Sequence, residues 1–274
     1  MSRDRLHSGD LNRSPRAFRL GSTSYVYPDD ILPNVRRLGP MVDDVELVLF
    51  EIPEASNLPD AAALDELGRL ADAHDLTYTV HLPLDLRVAA GGDGPGAQPD
   101  PSMAMARRII ELTRPLSPYA YVAHLDAREP LETGAWDAWR DACAVGLAEL
   151  AAAAGEPGRI CIENLERCPH GEMLPLLERL PVGFCLDIGH LWLQGEDAPA
   201  CIARLAPYTR VVHLHGIGER DHASLRHTPR PQLRAALDAL ARSGFDGVVT
   251  LEVFNLEDLV TSRDLVLAWE DGTL

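Results

Sequence analysis

The chain has 274 residues, with 25 Lys plus Arg against 42 Asp plus Glu, a net charge of −17. A surface that acidic repels phosphate backbones at long range, and aromatics at only 5% offer no base-stacking platform, so a nucleic-acid partner is not expected. Hydrophobic residues reach 46%, yet no apolar run approaches the roughly 20 residues needed to cross a bilayer, so no membrane partner is expected either.

Residues 1–16 are polar and lack the apolar stretch of a secretory signal, which predicts a mobile tail and a cytoplasmic location. From there strand-like and helix-like segments alternate. Buried strands are predicted at 18–25 (FRLGSTSY) and 45–50 (VELVLF), then a helix over 64–73 (LDELGRLADA) and a strand at 77–82 (TYTVHL). A Gly- and Pro-rich loop, 89–101, separates these from a strand at 120–125 (AYVAHL) and a long helix over 136–153. Strands follow at 159–163 (RICIE), 183–187 (GFCLD) and 210–215 (RVVHLH), a helix over 233–241, and a last strand at 247–253 (GVVTLEV). Eight strands joined by helical crossovers must run parallel, which in a chain of this length predicts an α/β fold, a single (β/α)8 TIM barrel over 17–274. The rival, an open doubly wound sheet, opens on a GxGxxG turn, and GSTSY at 21–25 is not one. Five cysteines form no CxxC pair and read as reduced thiols, with Cys161 and Cys185 as small core side chains.

The ionisable residues concentrate at strand ends. The second strand ends in Glu51, the third in His81, the fourth in His124, the fifth in Glu163 and the sixth in Asp187, with His190 three residues on. The seventh carries His213 and His215, with Asp221 and His222 in the loop beyond, and the eighth carries Glu252. A lone histidine in such a place is ordinarily a hydrogen-bonded rim residue, and Glu51 reads equally as a buried acid on backbone N–H groups. Seven of eight strands ending alike is another matter, because barrel strands aim their C-terminal ends at one mouth. Imidazoles and carboxylates converging there make a divalent-metal site of the Zn2+ or Mn2+ kind.

The elements VHLPLD (80–85), AHLDA (123–127), IENLE (162–166), CLDIGHLWLQG (185–195), VVHLHGIGERDH (211–222) and LEVF (251–254) resemble the xylose-isomerase-like superfamily, which includes the endonuclease IV type of AP endonuclease family 2. The resemblance implies two competing chemistries. Sugar isomerases and epimerases hold one ion on four strand ends, here matching Glu163, Asp187, His213 and Glu252. The phosphodiesterases hold three, adding residues that match His81, His124, His190 and an acid–imidazole pair after the seventh strand. That pair is separated by one residue in the endonuclease IV pattern, whereas Asp221 and His222 are adjacent, which leaves open which two of Glu219, Asp221 and His222 are ligands. The stretch 19–51 is similar to the opening of the cobamide-remodelling phosphodiesterases, which cleave the nucleotide-loop phosphodiester of corrinoids. The resemblance therefore implies a small-molecule corrinoid substrate and two or three divalent ions. Glu163 would bridge two of them, with Asp187 and Glu252 beside it in the catalytic cluster. Tyr25, Tyr27, Glu51, His215 and the loop 89–101 would be candidate substrate contacts. The alternatives are a sugar isomerase or epimerase with a single ion, and a non-catalytic binder.

Overall fold

The computed structural model describes residues 17–84, 86–88, 100–168, 170–218 and 220–274. In chain order these form β1 (Arg19–Thr23), α1 (Ile31–Leu38), β2 (Asp44–Val48), β3 (Glu51–Ile52), β4 (Ala55–Ser56), α2 (Ala61–His74) and β5 (Thr77–His81). Next come α3 (Pro101–Thr113), β6 (Ala120–Ala123), α4 (Arg128–Thr133), α5 (Trp136–Ala154), β7 (Ile160–Glu163), α6 (Leu174–Arg179) and β8 (Gly183–Asp187). The remainder is α7 (Ile188–Leu193), α8 (Ala198–Leu205), β9 (Thr209–Leu214), α9 (Arg230–Ser243), β10 (Val248–Leu251) and α10 (Leu256–Glu270).

Eight strands close into a parallel barrel in the order β1-β10-β9-β8-β7-β6-β5-β2, as the alternation of strand and helix predicts. The helices cover its outside because one stripe of each is apolar. In α5 the buried Trp139, Cys143, Leu147, Leu150 and Ala154 recur every three or four residues and pack on the strands. Asp60, Asp197 and Asn255 cap α2, α8 and α10, each accepting a backbone N–H of the first turn, which fixes where the chain turns from loop to helix.

The inside of the barrel is divided. Ala120, Val122, Cys161, Cys185 and Val211 form a small apolar cluster there, as expected for the two thiols. Asp44, Glu46, Thr79 and Thr250 are polar and fully buried. Because side chains alternate along a strand, Cys161 and Glu163 share a face, as do Cys185 and Asp187, Val211 and His213, and Asp44 and Glu46. The interior faces therefore lead directly to the mouth.

One strand boundary requires correction. β2 stops at Val48, and Glu51, expected to end it, lies in β3, which pairs antiparallel with β4 beyond the barrel. The cause is Asn57, whose side chain donates to the Val48 carbonyl at 2.7 Å and accepts from Phe50 N–H at 2.7 Å, turning the chain away. The mobile tail expected at 1–16 and residues 89–99 of the expected loop lie outside the described residues. Among the described residues no helix is long and apolar enough to cross a membrane.

Candidate metal centre

The strand ends do meet. Glu163, Asp187, His213 and Glu252 each bring a ligand atom within 4.8 Å of the other three. His213 Nδ1 stands 3.1 Å from Glu163 Oε1, 3.1 Å from Glu252 Oε2 and 4.0 Å from Asp187 Oδ2. Glu163 is shared, since its other oxygen, Oε2, lies 3.0 Å from His124 Nε2 and 3.4 Å from His81 Nε2 in a second cluster. A third cluster joins His190, His215 and His222.

Local structure aims each imidazole. His81 Nδ1 donates to the Leu82 carbonyl at 2.7 Å, and His190 Nδ1 to the Asn164 carbonyl at 2.8 Å. His215 Nδ1 lies 3.2 Å from the Gly216 carbonyl. In each ring the outer nitrogen is held by backbone, so the lone pair of Nε2 faces the mouth. Asp187 ends β8 and caps α7 with Oδ1, which accepts His190 N–H at 2.6 Å, so the LDIGH motif fixes an acid and an imidazole on one turn. Asn164 spans the neighbouring strand ends, donating to the Asp187 carbonyl and accepting Asp187 N–H.

The loop after β9 is pinched by a backbone bridge between Gly216 and Ala223. His222 is left-handed there, at φ 51°. In extended chain, adjacent side chains face opposite ways, so two ligands need a residue between them. A left-handed residue bends that geometry and lets Asp221 and His222 face the same side. Asp221 Oδ1 is 3.4 Å from His215 Nδ1, and Oδ2 lies 3.7 Å from His222 Nε2 and 3.9 Å from His190 Nε2. His222 Nδ1 also faces Glu252 Oε2 at 3.4 Å.

The electrostatics fit cations. Glu46, Glu163, Asp187 and Glu252 are almost wholly removed from water, and four carboxylates so close repel unless positive charge lies between them. Protons supply it here. Burial pushes His213 down, but Cys185 and the carboxylates of Glu46, Glu252 and Glu163 outweigh it and hold the imidazole well above its ordinary 6.5. Burial likewise opposes His81 and His215, and neighbouring carboxylates raise both to about 9. Burial works against ionised Glu163 and Glu252 too, yet His213 and the other imidazoles keep both well below 4.5. The same field would favour a divalent ion among these donors. Glu163 Oε2, Asp187 Oδ2, Glu252 Oε2, His215 Nε2 and His222 Nδ1 are buried without a well-directed hydrogen bond, although ionisable neighbours lie within 4 Å. Nitrogen and carboxylate donors left unsatisfied and facing one another suit a divalent metal ion.

Of the other expected site residues, Glu51 pairs with Arg108 of α3, away from the clusters. Tyr25 accepts an Asn57 N–H at 2.9 Å, and Tyr27 lies under the Arg37 guanidinium. His215, expected as a substrate contact, sits within the third cluster. Glu219 lies outside the described residues. Sequence reading missed Glu46, which meets His213 Nε2 at 2.9 Å. Its signal was an acid in the middle of a strand, two residues from Asp44 in VDDVELVLF, where apolar side chains are the rule.

A family model described as xylose isomerase-like TIM barrel matches residues 33–271. A comparison with curated proteins finds no match. Among solved structures, a D-tagatose 3-epimerase-like protein is similar at TM-score 0.76 and 19% identity, covering 93% of this chain and 98% of that one. The 3-keto-D-glucoside 4-epimerase YcjR from E. coli is similar at 0.64 and 16%, covering 93% and 99%. An AP endonuclease, family 2, from Brucella melitensis is similar at 0.61 and 18%, covering 93% and 98%. Likeness at such identities establishes the fold.

Proposed function

The chain belongs to the xylose isomerase-like TIM barrels, and on that premise we propose that it is a metal-dependent phosphodiesterase. Its substrate in this reading is a cobamide, hydrolysed at the nucleotide-loop phosphodiester so that the lower ligand can be exchanged. The observation that carries the reading is the sharing of Glu163 between two donor clusters with a third beside them, more donors than a single ion can use. Bound at these clusters, two or three divalent ions would offset the phosphate's negative charge and acidify water for in-line attack.

The chain's own residues supply the rest. Glu163 presents one carboxylate oxygen to each of two clusters, while Asp187 and Glu252 complete the central one and His81 and His124 the outer one. Next to His124 opens a cavity of about 490 Å³, walled by Leu84, Leu125, Leu131 and Leu165 and edged by Arg128 and Arg167 with Asp126 and Glu166. Arg167 makes no ion pair among the described residues, so its charge is available to a phosphate, and the leucines to an apolar portion of the same molecule. A net charge of −17 suits an amide-bearing corrinoid better than a DNA duplex. The likeness of residues 19–51 to cobamide-remodelling enzymes supports the same substrate.

A second reading, a sugar epimerase, is favoured by the structural neighbours and by the four-residue cluster alone. Glu163 and Glu252 would then move a proton between carbons beside a single ion, and the outer and third clusters would have no task. Incubation with a complete cobamide separates the two readings. Release of the lower-ligand nucleoside, two or more ions per chain, and loss of turnover in a folded Glu163→Gln variant are expected. Intact cobamide with epimerisation of a ketose and one ion per chain would overturn the assignment.

A further inference from the structure

His213 is held differently from the imidazoles whose outer nitrogen has a backbone partner. In His81, His190 and His215 it is Nδ1 that meets a carbonyl oxygen, so Nε2 faces the mouth. In His213 the ring is reversed. Nε2 points down into the barrel onto Glu46 Oε2 at 2.9 Å, and Nδ1 faces Glu163 and Glu252 at 3.1 Å each. His213 and Glu46 are both completely buried, so no water competes for their contact, and Cys185 and Val211 belong to the apolar cluster inside the barrel.

We propose that Glu46 is the positioning carboxylate of the central ion, fixing His213 as the tautomer that carries its proton on Nε2 and offers Nδ1 as ligand. This inference rests on the metal-centre reading above. A backbone carbonyl could orient the ring, but a buried carboxylate also adds negative charge one imidazole away from the ion, which makes the ring a stronger donor. Glu46 is well placed to stay fixed. It lies in mid-strand in β2, in register with Thr79 of β5, and its Oε1 is buried without a hydrogen-bond partner, so Oε2 on the imidazole is its directed contact. The central ion would accordingly be the one held most tightly, with the outer and third clusters exchanging first. Glu46 touches no reacting atom in this arrangement and acts wholly through His213.

The test is metal binding, independent of turnover. Co2+ is titrated into the metal-free full-length protein and followed by calorimetry and visible absorption, in the wild type and in Glu46→Gln and Glu46→Asp. Glu46→Gln should lose 10- to 100-fold in affinity for one ion of the set with a changed absorption band, and Glu46→Asp should recover part of it. A purely structural role would lower the melting temperature of the metal-free protein and leave the affinity of every ion alone, which would refute the assignment. Should Glu46→Gln not fold, 15N NMR of the histidine side chains in the Zn2+-loaded wild type decides. A protonated Nε2 and metal-bound Nδ1 on His213 are expected, and the opposite assignment overturns the proposal. Failure of the wild type to bind any metal would sink the reading of the whole centre, whereas wild-type affinity in Glu46→Gln sinks this inference alone.

Discussion

Gly189, the fourth residue of the LDIGH motif, offers a sharp test of the third cluster. It sits in α7, and a side-chain carbon there would fall well inside contact of the His215 ring atoms Cε1, Nε2 and Nδ1. Ordinary carbon contacts are about 3.5–4.0 Å, so in Gly189→Ala the ring must retreat by more than an ångström. It has nowhere to go. Its Nε2 lies 3.2 Å from Asp187 Oδ1, its Nδ1 3.4 Å from Asp221 Oδ1, its face 4.2 Å from the His222 ring, and it is fully buried. Overpacking of this kind costs about 1–3 kcal/mol, while alanine in a helix regains about 1 kcal/mol over glycine. The metal-free variant should therefore be destabilised by roughly 0–2 kcal/mol, a small effect. Metal content should change far more, because the displaced imidazole belongs to a donor set. Elemental analysis after gel filtration should show the loss of one ion per chain, with the central ion retained. A variant that keeps the wild-type metal content would show that His215 is not held against an ion by the motif's glycine.

Three further outcomes concern protons. In the metal-free protein His81 and His215 titrate near 9 and His213 well above 6.5. A raised imidazole pKa contributes stability below about 6.5 that is lost as pH rises through about 9, so the melting temperature of the metal-free protein should fall across that window. Zn2+ loading at pH 7.5 in weak buffer should release about two or three protons per chain, and release of none would contradict the imidazole ligation. Asp44 behaves separately. Burial raises its carboxyl from 3.8 to about 7 despite a 2.6 Å hydrogen bond from Thr77, and Glu46 adds repulsion. An acid whose folded pKa is raised favours folding when protonated, so its contribution is lost between about pH 4 and 7, by at most about 4 kcal/mol. Asp44→Asn should flatten that part of the stability profile and be more stable than the wild type at pH 8. Parallel urea midpoints for the two proteins from pH 4 to 8 would refute it.

The barrel was legible in the sequence because both of its signals are local. Strands buried on two faces must be continuously apolar, helices on their outside must be apolar on one stripe, and eight alternations fill the chain. The strand-end donors were legible for a related reason. A polar residue that ends an apolar strand faces the mouth in any parallel barrel, so His81, His124, Glu163, Asp187, His213 and Glu252 could be placed together without knowing a single distance. Glu51 escaped this logic because its position depends on Asn57, a contact the strand pattern does not encode.

What the tertiary structure decided is how the donors divide and which way each one faces. The adjacency of Asp221 and His222 left their roles open in sequence. A left-handed backbone at His222 and the Gly216–Ala223 bridge bring Asp221 and His222 to one side, while Glu219 lies outside the described residues. Glu46 and His213 are 167 positions apart, so only closure of the barrel brings them together, and the choice of ring nitrogen follows from that meeting. Periodicity specifies which face of an element is buried. The orientation of a side chain within the buried space is set by partners from remote strands, and those exist only once the ring of strands is closed.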